Sequence, residues 1–121
     1  MKAPTILLVE DSQLVTDALR ILFDSSGYNV LVAASVAEAI TTGTNENVDV
    51  MLLDLTLPDG NGLDVIEALR ERVSLPRATL AMTGHNDTLT RRACLNAGCA
   101  DVLLKPVPIG ELLRQVERLL A

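Results

Sequence analysis

The chain has 121 residues, of which 49% are apolar and only 2% aromatic, so it can bury one core made almost entirely of aliphatic side chains. Sixteen acidic residues against ten basic ones give a net charge of −6, which argues against this domain gripping a nucleic-acid backbone by itself. No apolar run approaches the roughly 20 residues of a membrane span, and the first residues are too weakly apolar for a secretion signal. We therefore expect a cytoplasmic protein with no membrane contact.

Five short apolar runs, rich in Val, Ile and Leu, recur along the chain. They occupy residues 5–9, 29–34, 48–53, 78–82 and 101–104. Because these runs are apolar on both faces, they are typical of parallel strands in a sheet that is covered by helices on both sides. The segments between them repeat apolar residues with helical spacing.

The first helical segment follows Ser12, a residue type that commonly caps a helix, and it ends before Gly27. Its predicted core-facing stripe consists of Val15, Ala18, Leu19, Leu22 and Phe23. Further helices are predicted over 35–43, from near Gly62, over 87–96 before Gly98, and over 109–120. A strand–helix unit repeated five times predicts an α/β fold with a doubly wound, five-stranded parallel sheet.

Cys94 and Cys99 are the only cysteines. Their spacing is not that of a metal site, and the chain has a single histidine to accompany them. We expect both to be reduced, small residues of the core.

Polar side chains come directly after four of the five predicted strands. Glu10 and Asp11 follow the first strand, Asp54 follows the third, Thr83 the fourth and Lys105 the fifth. The carboxyl ends of parallel strands form one edge of the sheet, where open α/β folds bind ligands, so these side chains should converge. Each residue alone has an ordinary interpretation as a turn, strand end or loop residue, but their joint placement is hard to obtain by accident.

The predicted cluster has more negative charge than its one ammonium group can balance. Adjacent carboxylates cannot all stay ionised beside a single lysine unless a further cation is present. Mg2+ prefers oxygen ligands of this kind and commonly serves phosphoryl-transfer sites. Because a carboxylate can itself accept a phosphoryl group, the pattern indicates phosphorylation of an aspartate.

These residues lie in motifs that resemble the receiver domains of two-component response regulators. The motifs are "ILLVEDS", "DLTLPDGNGLDV", "LAMTGH" and "AGCADVLLKPV", and together they extend over essentially the whole chain. The resemblance implies one receiver domain over residues 1–121, with the flavodoxin-like strand order 2-1-3-4-5. It also implies a signalling role rather than enzymatic turnover, Mg2+ as cofactor with Mn2+ as an alternative, and a sensor histidine kinase or histidine phosphotransfer domain as the phosphoryl donor.

The resemblance also implies a role for each residue of the cluster. Asp54 matches the phosphoacceptor. Glu10 and Asp11 match the acidic pair that holds the metal ion, together with Asp54 and the backbone carbonyl of Thr56.

Three more residues match positions around the phosphoryl group. Thr83 matches a switch hydroxyl, Lys105 matches the lysine that contacts the phosphoryl group, and the bond between Lys105 and Pro106 is expected to be cis. In this family, phosphorylation switches the surface formed by the fourth helix, fifth strand and fifth helix.

Two departures from the family pattern bear on output. Val102 stands where the family usually has an aromatic switch residue, so we expect weaker or different switching. Ala100 and Gln115 stand where winged-helix regulators carry an Asp and an Arg of a charged dimer face. We therefore doubt dimerisation through that face.

Four residues could modulate the site or bind the donor. In this family, positions such as Thr56 and His85 tune dephosphorylation, although His85 could equally be a solvated loop histidine with no role. Leu14 and Ile21 lie seven residues apart beside the first helix's core stripe. They form either a docking patch for the phosphoryl donor or part of a broader core stripe.

Three alternatives differ in chemical class. A Mg2+-dependent phosphatase would commonly carry a second Asp where Thr56 stands. A flavin-binding module would need a hydroxyl- and Gly-rich phosphate loop after the first strand, where this chain has Glu10-Asp11-Ser12. The third is a docking module that is never phosphorylated.

Overall fold

The computed structural model describes residues 3–84 and 87–121, and in them five strands of four to six residues alternate with five helices. The strands are β1 (Thr5–Val9), β2 (Asn29–Ala33), β3 (Val50–Asp54), β4 (Ala78–Thr83) and β5 (Asp101–Leu104). The helices are α1 (Gln13–Ser25), α2 (Val36–Asn45), α3 (Leu63–Glu71), α4 (Thr88–Ala97) and α5 (Ile109–Leu120). A short hairpin between β3 and α3 pairs Thr56–Leu57 with Gly60–Asn61.

The five strands form one parallel sheet in the order β2-β1-β3-β4-β5. This confirms the predicted doubly wound, flavodoxin-like fold. Every residue of β3 is buried, because that strand lies at the centre of the sheet with helices over both faces. Complete burial of a Leu or Ile side chain stabilises a fold by about 1.5–3 kcal/mol, so the buried strands contribute substantially to the stability of this domain.

Alternate residues of the strands face two separate aliphatic cores. Leu7, Met51 and Leu53 belong to the core on one side of the sheet. Leu8 and Leu52 belong to the core on the other side, where Phe23 of α1 also packs. Successive side chains of a strand point to opposite faces of the sheet, so each strand contributes to both cores. This explains why the runs are apolar throughout.

Two strands extend one residue beyond the predicted ends, and each includes a polar residue. Asp54 pairs with Met82 in the ladder of β3 and β4, and Thr83 pairs with Leu104 in the ladder of β4 and β5. Hydrogen bonding of the backbone thus continues past the last apolar side chain. Both polar residues are consequently held on the rigid sheet rather than on a loop.

The predicted helix ends are confirmed at several caps. The hydroxyls of Ser12 and Ser35 accept hydrogen bonds from the first turns of α1 and α2. Gly27 and Gly98 follow α1 and α4 with φ of +92° and +109°, a left-handed conformation that glycine adopts without steric cost.

The predicted core stripe of α1 is wrong in part. Leu19 and Phe23 are buried, but Val15 and Ala18 are exposed, and Thr16 is buried instead. The helix is rotated towards Thr16, whose hydroxyl donates to the backbone carbonyl of Gln13 and so meets its hydrogen-bonding requirement inside the core.

Cys94 and Cys99 are buried free thiols, as predicted. Burial raises the pKa of Cys99 to about 12, so its unreactive thiol form is favoured. Among the described residues, none of the helices has both the length and the apolar character that crossing a membrane requires.

Candidate functional site

Four neighbouring strands bring the predicted polar residues to one edge of the sheet. Glu10 directly follows β1, Asp54 ends β3, Thr83 ends β4 and Lys105 directly follows β5. Glu10, Asp54 and Thr83 are each at most 4% exposed, whereas Asp11 is exposed. The predicted convergence is therefore present in the structure.

Lys105 joins two of the carboxylates. Its Nζ atom lies 2.8 Å from Asp54 Oδ2 and 3.1 Å from Glu10 Oε1, close enough to donate a hydrogen bond to each. A buried carboxylate is costly unless it is paired, so this ammonium group offsets part of the cost of burying both acids. The backbone N–H of Lys105 donates to the carbonyl of Thr83, which fixes the start of the lysine-bearing loop.

The pKa values of Glu10 and Lys105 are both raised in the site. Burial raises the pKa of Glu10, and the neighbouring Asp54 raises it further, against the lowering by Lys105. Burial alone would lower the pKa of Lys105, but its hydrogen bonds to Asp54 and Glu10 outweigh this and leave the pKa raised. The site has one ammonium group for two buried carboxylates and thus favours an additional cation.

The oxygen donors of the site fit a hard divalent cation. Glu10, Asp11 and Asp54 each offer a carboxylate oxygen, and these oxygens all lie within 4.8 Å of one another. Such an all-oxygen set suits Mg2+ or Mn2+, which take few carboxylates and keep several waters. The exposed Asp11 leaves one side open for those waters and for a ligand.

The loop after β3 is held against Asp54. The backbone N–H of Thr56 donates to Asp54 Oδ1 at 3.0 Å, and the backbone N–H of Gly62 donates to the carbonyl of Leu55 at 2.9 Å. A Cβ atom on Gly62 would lie 2.3 Å from the carbonyl oxygen of Asp54. Glycine is therefore needed there for close packing on the site, whereas the sequence predicts only that α3 begins near it.

Asp59 is a residue that sequence reasoning missed. Its carboxylate accepts hydrogen bonds from the backbone N–H groups of Val36 and Ala37, at 2.7 and 3.0 Å. The sequence carries no signal for this contact, because the partners are more than 20 residues away and are backbone atoms.

A family model described as "Response regulator receiver domain" matches residues 6–117. The chain belongs to this family. The receiver domain is 38% identical over 115 residues to the TorCAD operon transcriptional regulatory protein TorR of Escherichia coli, covering 95% of this chain and 49% of that protein. It is 33% identical over 107 residues to the KDP operon regulator KdpE of Escherichia coli, covering 88% and 47%. The chain thus spans about half the length of these curated relatives.

Solved structures place the receiver domain in the same fold. The non-phosphorylated HemR receiver domain from Leptospira biflexa superimposes with a TM-score of 0.89 at 30% identity, covering 98% of this chain and 94% of that chain. A CheY-like receiver domain from Methanospirillum hungatei gives a TM-score of 0.88 at 28% identity, with the same coverage. Family membership decides against the phosphatase and flavin-binding alternatives.

Val102 and the Lys105-Pro106 bond lie at the two ends of the segment that includes most of β5. The bond between Lys105 and Pro106 is cis, as predicted. Val102 is buried, and its carbonyl accepts a hydrogen bond from Arg91 of α4, which also pairs with Asp101 at 3.3 Å. Arg91 thereby connects α4 to β5. His85 lies outside the described residues.

Leu14 and Ile21 are both exposed, at 83% and 69%. The alternative in which they belong to a broader core stripe is therefore wrong. Leu14 borders an apolar groove of about 570 Å³ between α1 and α5, and Glu10 and Lys105 are also among its lining residues. Ile21 lies two turns further along α1 and is not among the residues lining this groove.

Proposed function

We propose that this receiver domain accepts a phosphoryl group on Asp54 from a phosphohistidine donor, in a reaction that depends on Mg2+. The observation that carries the proposal is the setting of Asp54. Its carboxylate is buried at a strand end, bonded to Lys105 at 2.8 Å, and lies beside oxygens of Glu10 and Asp11. The purpose of this arrangement is signalling, since a phosphoryl group would bias the conformation of the surrounding surface.

The covalent step is a displacement at phosphorus. A carboxylate oxygen of Asp54 forms a bond to phosphorus while the bond between phosphorus and the donor's imidazole nitrogen breaks, and the imidazole leaves with the electron pair. The Thr56 N–H and the Lys105 ammonium group hold the two oxygens of Asp54, so the nucleophile is oriented before the donor arrives.

The charge of the transferred group would be balanced by residues from all four strands. Glu10, Asp11, Asp54 and the backbone carbonyl of Thr56 would hold Mg2+, or Mn2+ in its place. The metal ion, when bound, supplies positive charge next to the phosphoryl oxygens. The Thr83 hydroxyl and the Lys105 ammonium group would contact the remaining phosphoryl oxygens.

The lifetime of the phosphorylated state would depend on side chains that control water. The Thr56 side chain is exposed two residues after Asp54. Together with His85, whose role rests on its sequence position alone, it would set the rate at which water hydrolyses the acyl phosphate. Replacement of either residue by Ala should alter the rate of phosphate loss without preventing phosphorylation.

The groove beside Leu14 would bind the phosphoryl donor. It is lined mostly by aliphatic side chains and opens next to Lys105, so a helix seated in it would bring a histidine towards Asp54. A sensor histidine kinase or a histidine phosphotransfer domain fits this description. Leu14 lies at the rim of the groove, and Ile21 would extend the contact along α1.

Output would pass through α4, β5 and α5. A shift of Thr83 towards a phosphoryl group would move the start of the segment leading to α4, while the small Val102 provides no ring to rotate inward. We expect weaker coupling than in relatives with an aromatic residue, and no tight dimer through this face. TorR and KdpE are named as transcriptional regulators, so we infer that this domain's signal also reaches transcription, through a partner or another segment.

Incubation with acetyl phosphate and Mg2+, followed by intact-mass measurement, tests the proposal. The parent protein should gain the mass of one phosphoryl group, and the gain should disappear with EDTA or in Asp54→Asn. Absence of any adduct on the parent protein would contradict the proposal and leave the docking module that is never phosphorylated.

A further inference from the structure

We propose that Asp59 is a positioning residue for the site around Asp54, because it anchors the hairpin that carries Thr56 to the start of α2. This inference rests on the proposed function, since it concerns how the metal- and phosphoryl-binding loop is held. The hairpin comprises Thr56–Leu57 and Gly60–Asn61, with Asp59 in its turn.

Asp59 completes the cap of a helix that belongs to another part of the chain. The first backbone N–H groups of a helix have no partner within it. At α2, the Ser35 hydroxyl accepts the N–H of Glu38, at 3.1 Å. The N–H groups of Val36 and Ala37 are taken by the two oxygens of the Asp59 carboxylate. The cap is therefore shared between a local serine and an aspartate from the hairpin.

These two bonds are favourable although Asp59 is exposed to solvent. A carboxylate that accepts from backbone N–H groups forms charge-assisted hydrogen bonds, and it also lies at the positive end of the helix dipole. In agreement, the bonds from Val36 and Ala37 lower the pKa of Asp59, so its carboxylate is ionised at neutral pH.

Helix α2, to which Asp59 binds, is packed closely against α3. Ala39 and Gly43 of α2 are buried, and a Cβ atom on Gly43 would approach the Leu69 side chain of α3 to 2.8 Å. Such close contact leaves α2 little freedom to move relative to α3. The N-terminus of α2 is consequently a fixed point to which the hairpin can be tied.

The hairpin transmits this anchoring to the site. Thr56 pairs with Asn61 and Leu57 pairs with Gly60, and only two residues lie between Thr56 and Asp59 in the chain. The side chain of Leu57 is 7% exposed and packs in the core, which fixes the middle of the loop. At its base, the N–H of Thr56 donates to Asp54 Oδ1. Thr56 orients Asp54 through its N–H, and its backbone carbonyl would be a ligand of the metal ion. Loss of the Asp59 anchor would thus loosen Thr56 and disturb both roles.

Asp59→Asn and Ser35→Ala form a matched pair for testing this role. Both weaken the cap of α2, but only the first weakens the anchor of the hairpin. Asn keeps one acceptor oxygen, so Asp59→Asn removes the charge and one of the two bonds, whereas the Ser35 hydroxyl bonds within its own segment, to Glu38. Val36→Pro is a third variant: it removes one donor to Asp59 at the first helical position, where proline is well tolerated. The extended backbone of Ser35, with φ −152° and ψ 167°, suits a residue before proline.

Two readouts distinguish positioning from general destabilisation. The first is hydrogen exchange of the Thr56 amide in metal-free protein. The second is the Mg2+ dissociation constant from calorimetry or NMR titration. We expect Asp59→Asn to speed exchange at Thr56 and to weaken Mg2+ binding by about tenfold, a value typical for residues that orient metal ligands. Val36→Pro should give a smaller change of the same sign, and Ser35→Ala should leave both readouts near those of the parent.

Equal values in Asp59→Asn, Ser35→Ala and the parent protein would overturn the positioning role. So would equal losses in Asp59→Asn and Ser35→Ala, since these would report only a weaker α2. A parent protein that binds Mg2+ but accepts no phosphoryl group would refute the proposed function and leave the role of Asp59 to be judged from Mg2+ affinity. If the parent bound no Mg2+, Thr56 exchange alone would decide.

Discussion

Lys105 Nζ lies 2.8 Å from Asp54 Oδ2, although the two residues are 51 positions apart in the chain. The same ammonium group reaches Glu10 at 3.1 Å, so one cation holds two buried acids, one at the end of β3 and one directly after β1. Burial of the two carboxylates is energetically unfavourable, so the stability of the site depends on the single positive charge of Lys105.

Replacement of Lys105 by Ala should lower stability and slow phosphorylation. Removal of the ammonium group leaves two buried carboxylates without their cation, which destabilises the folded state. Because the Lys105 side chain is 34% exposed and its charge is partly screened by solvent, the loss of stability should be only about 1–2 kcal/mol. The double variant Lys105→Ala with Asp54→Asn should recover part of the loss, as urea unfolding would show. A double variant no more stable than Lys105→Ala would contradict the ion-pair explanation.

Gly62→Ala should be among the more damaging small substitutions. The new Cβ would lie 2.3 Å from the Asp54 carbonyl oxygen and 3.0 Å from the Leu55 Cα, so the loop must shift. We expect a loss of about 1–3 kcal/mol, typical of overpacking, with weaker Mg2+ binding. Gly110→Ala is the control, because its nearest neighbour would be a flexible Arg114 atom at 3.7 Å. Equal stabilities of the two variants in thermal unfolding would refute the steric argument.

Val73→Gly should stabilise the domain. Val73 has φ of +53° and is 94% exposed, so a β-branched residue occupies the left-handed position after α3 with no packing to offset the strain. The left-handed conformation costs an L-residue about 1–2 kcal/mol, and glycine avoids this cost. Part of that stabilisation is offset because glycine loses more conformational entropy on folding than valine does. A net gain of about 0.5–1 kcal/mol is therefore expected by urea unfolding.

Gly98→Ala is the reciprocal test, since Gly98 occupies the corresponding position after α4 with φ of +109°. It should lose stability in the same assay. A stabilised Gly98→Ala, or a destabilised Val73→Gly, would contradict this interpretation of the two helix ends.

Stability should depend on pH through Asp59. Hydrogen bonds from Val36 and Ala37 lower the pKa of Asp59 below its ordinary value of 3.8. The folded state therefore binds this proton less tightly than the unfolded state, and the contribution is complete above pH 3.8 and is lost as pH falls through the folded-state pKa. In urea titrations below pH 4, Asp59→Asn should show a shallower loss of stability than the parent, whereas Ser35→Ala should keep the parent slope. Parallel curves for all three would oppose this assignment.

The sequence was sufficient for the fold because β1, β3 and β4 are apolar on both faces, which only a sheet covered on two sides accommodates. It was also sufficient for the cluster around Asp54, because parallel strands end at one edge. The rotation of α1 towards Thr16 rather than Val15 could not be predicted, since both residues fit a helical stripe and tertiary packing chooses between them. Asp59 was missed because its partners are backbone atoms of a distant helix.

The central claim is that Asp54 carries the phosphoryl group, and chemical trapping tests it most directly. Protein treated with acetyl phosphate and Mg2+ is reduced with borohydride, which converts an aspartyl phosphate to homoserine, and is then mapped by peptide mass spectrometry. We expect homoserine at position 54 and nowhere else, with no conversion when Mg2+ is omitted. Homoserine at Asp11, or no conversion at any aspartate under conditions where the protein is folded, would contradict the account.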